Sequence, residues 1–188
     1  GVDAARGSQH TPVAARTPAG VRLQAAAGGR AHALALSRGG AVLAAGRNAH
    51  GQLGTGGGAE ATAEALTPVE ALAAVKVTQV ACGNNHSLAV ALDGRAFAWG
   101  CGAGHQLGPE AVAGSAPVLS TWDARVPREL ALFEGPGWRA GGRHFRTYLR
   151  AVSVAAGHAH TLVLTEGGAV LVAGDAGLSK SFELGLER

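Results

Sequence analysis

The chain has 188 residues, of which 47% are hydrophobic, 15% charged and only 4% aromatic, and 30 are glycine. Its formal net charge of +3 is too small to indicate a nucleic-acid-binding protein by itself, and no apolar run approaches the ~18 residues of a membrane-spanning helix. Its two cysteines, Cys82 and Cys101, do not make a disulfide framework, so we expect an intracellular protein without a membrane partner.

One sequence pattern occurs three times along the chain. The copies run over residues 24–54, 75–108 and 152–174. In each copy a histidine follows a glycine by three residues, and further glycines come eight and fourteen residues after the histidine. Self-similarity at a period of tens of residues indicates a repeat architecture. The glycine–histidine pairs are Gly29 with His32, Gly83 with His86, and Gly157 with His160.

The middle copy predicts three short β-strands. The predicted strands are residues 75–82, 86–92 and 95–99. Asp93-Gly94, between the second and third strands, is typical of a two-residue hairpin turn. We expect a fourth strand near a Thr-Pro-Val pattern, because proline fits an edge strand and not a central one. That pattern occurs at residues 67–69 and 11–13, and loosely at 126–127.

The second strand of the repeat is apolar or small on both of its faces. Leu88 and Val90 lie on one face, and Ser87 and Ala89 lie on the other. A sheet with one face in water should instead alternate apolar with polar side chains. Small four-stranded sheets that are buried on both faces and repeated radially describe a β-propeller.

These motifs resemble the regulator-of-chromosome-condensation repeats. The resemblance covers roughly residues 11–188 and implies a seven-bladed propeller, of which this chain would hold an open arc of about three four-stranded blades. It is carried by Val80-Ala81-Cys82-Gly83, His86-Ser87-Leu88, Asp93-Gly94, Ala98-Trp99-Gly100 and the loop motif Gly51-Gln52-Leu53-Gly54, which His105-Gln106-Leu107-Gly108 matches in all but its first glycine.

We therefore predict an all-β fold with a single partial propeller domain over residues 1–188. The expected repeat units are approximately 11–66, 67–126 and 127–188. Propellers usually close with four to eight blades, and the sequence contains no methionine. We expect a processed or partial chain, whose remaining blades are missing, disordered or supplied by another protein. After Gly174 the third copy departs from the others, and we expect its outer loop to be about three residues longer.

Residues 135–150 form a basic and aromatic insertion that contains no acid. Tryptophan and arginine often anchor protein interfaces, and arginine mixed with aromatic residues also suits phosphate contacts and base stacking. We predict that the insertion binds an acidic protein surface or RNA. The alternative is a solvated loop whose aromatic side chains pack back onto the blade. The predicted partner-binding residues are Trp138, Arg139, Arg143, His144, Phe145, Arg146, Tyr148 and Arg150.

The three repeated histidines raise the question of a metal site. Equivalent positions in successive blades form a ring and need not converge, so we expect a structural role, with each histidine held by a hydrogen bond within its own blade. The segment 174–181 has a serine where a phosphate-binding loop needs its second glycine. No catalytic, cofactor-binding or metal-binding residue is predicted, and no cofactor is expected.

These features predict a non-enzymatic scaffold for protein–protein interaction, a structural subunit or adaptor of a larger assembly. We expect it in the cytoplasm or nucleus, with a cytoskeletal, ciliary or organellar assembly as alternatives. The resemblance also implies guanine-nucleotide exchange on a Ran-like small GTPase, although no residue here matches an exchange motif. A third implied reading, ultraviolet-B reception, is disfavoured because Ala140 interrupts the Gly-Trp-Arg-His-Thr motif that begins at Gly137.

Overall fold

A computed structural model describes residues 15, 17–58, 62–110, 118–119, 122–132 and 149–174. The described residues form short antiparallel strands and one 3₁₀ helix, Glu70–Leu72, and no helix among them is long and apolar enough to cross a membrane. The strands are β1 Leu23–Gly28, β2 His32–Ser37, β3 Val42–Arg47, β4 Thr62–Pro68, β5 Val77–Cys82, β6 His86–Ala91, β7 Ala96–Gly100, β8 Pro109–Glu110, β9 Val118–Leu119, β10 Ala124–Glu129, β11 Ala151–Ala156, β12 His160–Thr165 and β13 Val170–Gly174.

The strands build three successive antiparallel sheets. Blade 1 has the order β1-β2-β3-β4, blade 2 the order β5-β6-β7-β10, and blade 3 the order β11-β12-β13; β8 and β9 pair separately. The all-β fold and the strands predicted for the middle copy are confirmed to within two residues. The predicted fourth strands are also present, since Pro68 ends the edge strand β4 and Pro127 lies in the edge strand β10. The third Thr-Pro-Val pattern, at residues 11–13, lies outside the described residues.

The glycine fourteen residues after each histidine is required by the backbone. Gly100 ends β7 with a φ of +98° and pairs with His86 of β6. A Cβ at this position would lie 2.5 Å from the carbonyl oxygen of Asn85. Gly46 and Gly174 have the same positive φ and the same close approach. A side chain would be strained here both by the left-handed backbone and by the collision.

The main hydrophobic core lies between the blades. Every residue of β6 is buried, and Leu88 and Trp99 are fully inaccessible to solvent, so the prediction that both faces are covered is confirmed for blade 2. Blade 3 differs, because Leu164, Val170 and Val172 are 39–49% exposed. These side chains lie on a face that no other described sheet covers.

Candidate partner-binding site

Each repeated glycine makes room for the imidazole of the histidine that follows it. A Cβ on Gly29 would collide with the ring of His32, and one on Gly83 would collide with the ring of His86. The same relation holds for the third pair in blade 3. The Gly-x-x-His spacing is therefore a packing requirement of the turn between the first and second strands of a blade.

The histidine forms its hydrogen bond to the next blade. In blade 1, His32 Nε2 lies 3.0 Å from Ser87 Oγ, which belongs to blade 2. The Ser87 hydroxyl donates to the carbonyl oxygen of Gln52 at 2.7 Å. A hydroxyl has one proton, so Ser87 must accept from His32 Nε2–H. The expectation of a hydrogen bond within one blade was wrong. The bond joins two blades, because Ser87 of blade 2 contacts both the His32 ring and the Gln52 carbonyl of blade 1.

The same arrangement recurs one blade further on. His86 Nε2 lies 3.2 Å from Thr161 Oγ1 of blade 3, and that hydroxyl donates to the carbonyl oxygen of Gln106 at 2.6 Å. Trp99 Nε1–H also donates to the Gln52 carbonyl at 2.9 Å. The Gln-Leu-Gly loop motif thus presents a backbone carbonyl as the acceptor for the neighbouring blade.

Burial keeps the repeated histidines of blades 1 and 2 neutral. Their Nδ1 atoms are buried and have no hydrogen-bond partner. Loss of hydration lowers the pKa of His32 to about 4, and the same cause, with the charge of His32 as a smaller one, lowers the pKa of His86 to about 4. The two imidazoles bond to different hydroxyls in different blades.

The structure describes one of the eight predicted partner-binding residues, Arg150. Trp138, Arg139, Arg143, His144, Phe145, Arg146 and Tyr148 lie outside the described residues. Arg150 is exposed and immediately precedes β11. Its carbonyl oxygen accepts from the amide of Glu166 at 2.8 Å, and the next amide, Ala151 N–H, donates to the Gly94 carbonyl at 2.8 Å. The end of the insertion is therefore fixed between the hairpin turns of blades 2 and 3.

The rim around Arg150 carries charges of both signs. Arg150 Nε lies 3.6 Å from a carboxylate oxygen of Glu166. Nearby, the guanidinium of Arg95 lies 2.8 Å from Asp93 and 3.5 Å from Glu129. Hydrogen bonds from Arg95, first from its backbone amide, lower the pKa of the Asp93 carboxyl. These pairs are solvent-exposed, so each one stabilises the fold only slightly and remains available to a partner.

A further group of side chains, which the sequence did not single out, meets between blades 1 and 2. His50, Cys101 and Asp123 bring a ring nitrogen, a thiol and a carboxylate within 4.8 Å of one another. His50 and Asp123 are 73 residues apart, and Asp123 lies outside the repeated motifs. No pattern in a single sequence connects them.

Comparison with known proteins identifies the family. A model of the regulator of chromosome condensation (RCC1) repeat matches residues 39–90 and 93–164, and a second model of the same repeat matches residues 24–52 and 77–106. The chain belongs to the regulator of chromosome condensation repeat family. The resemblance inferred from the sequence motifs is confirmed.

Human relatives match part of the chain. The "Probable E3 ubiquitin-protein ligase HERC6" is 46% identical over 94 residues, which cover 50% of this chain and 9% of the relative. The human "Regulator of chromosome condensation" is 41% identical over 81 residues, which cover 43% of this chain and 18% of the relative. The chain thus matches less than a fifth of the length of either relative.

Solved structures agree with the propeller fold. Human WBSCR16 superposes with a TM-score of 0.65 at 29% identity, over 87% of this chain and 36% of that one. Yeast RCC1 (Prp20), solved bound to Kap60, superposes with a TM-score of 0.63 at 23% identity, over 89% of this chain and 33% of that one. Another structure of Prp20p, from Saccharomyces cerevisiae, was described with its binding properties to Gsp1p and histones.

Proposed function

We propose that this protein is a non-enzymatic interaction scaffold, a structural subunit or adaptor of a larger intracellular assembly in the cytoplasm or nucleus. The observation that carries the proposal is the attachment of the basic insertion at Arg150, on the seam between two interlocked blades. The last residue of the insertion is thus anchored where two blades meet, and binding residues are often carried by loops that join a rigid scaffold.

The interior supports this role because its polar groups serve the blade seams. The imidazoles of His32 and His86, two hydroxyls and two backbone carbonyls join successive blades. At neutral pH burial keeps these imidazoles uncharged. Such a network makes the arc stiff, and a stiff arc loses little conformational entropy when a partner binds.

The composition of the insertion favours an acidic protein surface as its partner. Residues 135–150 contain four arginines, a tryptophan, a phenylalanine and a tyrosine, and no acid. Arginine and aromatic side chains contribute much of the binding free energy in protein interfaces. The mixed charges of the rim, with Glu129 and Glu166 beside Arg95 and Arg150, suit a protein partner better than a uniformly negative RNA backbone.

The test replaces Arg139, Arg143 and Arg146 together by alanine. We expect partner binding to weaken by at least about tenfold and to depend less on salt, since three charges leave the contact. The matched control replaces Arg30, Arg38 and Arg47, three exposed arginines of blade 1, and lowers the net charge equally. Equal binding by both triple variants and the unaltered chain would contradict the proposed site. RNA that co-purifies with the chain and is lost with the first triple variant would point to the alternative partner.

A second candidate function is nucleotide exchange on a Ran-like small GTPase. The yeast relative Prp20p was described with its binding to Gsp1p, and the fold similarity to Prp20p spans most of this chain. An exchange factor binds the nucleotide-free GTPase tightly and releases it when nucleotide is added. A scaffold binds its partner equally well with and without nucleotide, so one titration separates the two functions.

A further inference from the structure

Three side chains with metal-binding atoms meet on the seam between blades 1 and 2. His50 lies in the loop between β3 and β4, Cys101 directly follows β7, and Asp123 directly precedes β10. The Nδ1, Sγ and carboxylate oxygen atoms all lie within 4.8 Å of one another. His50 Nδ1 and Asp123 Oδ2 are 2.9 Å apart. Residues from three separate segments of the chain thus converge on one small volume.

We propose that His50, Cys101 and Asp123 bind a divalent transition-metal ion, for which Zn²⁺ is the best match. An imidazole nitrogen, a thiolate and a carboxylate oxygen are the three ligand types of zinc in proteins. A tetrahedral zinc ion with bonds of ~2.0–2.3 Å separates its ligand atoms by roughly 3.3–3.7 Å. The three atoms therefore need to move by only about an ångström to surround the ion. This assignment departs from the sequence-based expectation that no residue binds metal.

Hydrogen bonds orient two of the three ligands. The amide N–H of Gly102 donates to Asp123 Oδ1 at 3.1 Å, which leaves Oδ2 facing His50. The backbone amide of His50 donates to the side-chain oxygen of Gln52 at 2.9 Å, which fixes the backbone that carries the imidazole. Contacts of this kind fix the direction of metal ligands and strengthen metal binding.

The loop that carries His50 is clamped against β10. A Cβ on Gly51 would lie 2.5 Å from the Cα of Arg125, so only glycine allows this approach. Gly56 N–H donates to the Arg125 carbonyl at 3.0 Å, and the Arg125 guanidinium donates to the Gly57 carbonyl at 3.0 Å. These contacts hold His50 beside Asp123 before any ion binds. A bound ion would add a link between the two blades.

The cluster is open to solvent on one side. The side chains of His50 and Asp123 are 39% and 33% exposed, and Cys101 is also partly exposed. An ion with three protein ligands then keeps a fourth position for water. On binding through Nδ1, the His50 ring keeps its one proton on Nε2, and the Cys101 thiol gives up its proton to solvent.

Cobalt(II) is the probe for this site. The untagged full chain, kept reduced, is titrated with Co²⁺ and followed by absorption spectroscopy. We expect one ion per chain, with a thiolate-to-cobalt charge-transfer band and the intense visible bands of a tetrahedral ion. Added Zn²⁺ should remove the whole spectrum by displacement and should raise the melting temperature, because it stabilises the folded state.

Two substitutions separate this site from other metal-binding side chains. Cys101→Ala should abolish the charge-transfer band. The control Cys82→Ala should retain it, because Cys82 lies in β5, where burial raises the pKa of its thiol to about 12. Asp123→Asn keeps an oxygen to accept from Gly102 and should weaken Co²⁺ binding by about tenfold or more without unfolding the chain.

Three results would overturn the proposal. They are cobalt binding without a thiolate band, a band that survives Cys101→Ala, and an affinity that is unchanged in a folded Asp123→Asn variant. Circular dichroism of each variant shows whether it is folded. Partner binding by the Cys101→Ala variant should be unchanged, so failure of the metal site and failure of the proposed scaffold role are distinguishable.

Discussion

The side-chain amide of Gln79 makes two hydrogen bonds to the backbone of Val154, donating to its carbonyl at 3.2 Å and accepting from its N–H at 3.1 Å. Gln79 lies in β5 of blade 2 and Val154 in β11 of blade 3. The side-chain amide thus supplies the donor and the acceptor that a neighbouring strand would supply, although β5 and β11 belong to different sheets. The first strands of blades 2 and 3 are joined in this way as well as by apolar packing.

Replacement of Gln79 by leucine should destabilise the fold by about 1–3 kcal/mol. Leucine fills similar space but leaves the Val154 amide and carbonyl without their partner at a partly buried position. Urea unfolding of the two proteins measures the difference. Gln24→Leu, on an exposed position of β1, is the control and should change the stability by no more than about 0.5 kcal/mol.

Alanine at Gly83 should destabilise the protein by about 2–3 kcal/mol. Its Cβ would collide with the His86 ring and lie 2.6 Å from the Gly157 carbonyl oxygen, so the turn and the blade seam must shift. Gly28→Ala is the matched control, because nothing lies within 4 Å of a Cβ there. Chemical denaturation measures the free energy of unfolding of both variants. An equal decrease in the two variants would contradict the packing account.

Stability should fall when the pH drops below about 6.5. Burial lowers the pKa values of His32 and His86 from 6.5 to about 4 in the folded state. Between these pH values the unfolded chain binds more protons than the folded one, so protons favour unfolding. The loss starts below pH 6.5, continues to about pH 4, and amounts to roughly 2 kcal/mol per histidine at pH 5.

The pH dependence is assigned by a double substitution. His32→Gln with His86→Gln keeps an N–H donor at each site but removes the titrating groups. Urea unfolding at pH 7 and pH 5 should then show a much smaller difference than in the unaltered chain. An equally large loss of stability at pH 5 in the double variant would assign the effect to other groups.

The strands and turns could be predicted because they depend on local patterns. The spacing of Gly83 and His86, the Asp93-Gly94 turn and the apolar second strand repeat in the sequence, and each has a local physical cause. The partner of the histidine was missed, although a hydroxyl follows it in two copies, as Ser87 and Thr161. The hydroxyl residue faces the preceding blade. Its acceptor is a backbone carbonyl of that blade, so the sequence of one repeat does not indicate the bond.

The candidate sites were less predictable for a related reason. The meeting of His50, Cys101 and Asp123 depends on how two blades pack, and the residues share no common motif. The basic insertion could be recognised by composition, but the sequence did not predict that its last residue, Arg150, lies between the hairpin turns of blades 2 and 3. The positions of the metal-binding cluster and of Arg150 depend on packing between blades. A repeat pattern predicts mainly the structure within one blade.

The measurement that tests the scaffold role most directly is isolation of the native protein with its partners, with and without added GTP. A scaffold predicts a stoichiometric complex of several proteins, unchanged by nucleotide and lost in the Arg139, Arg143 and Arg146 triple variant. A single small GTPase that is released by GTP would contradict the scaffold role and make the protein an exchange factor.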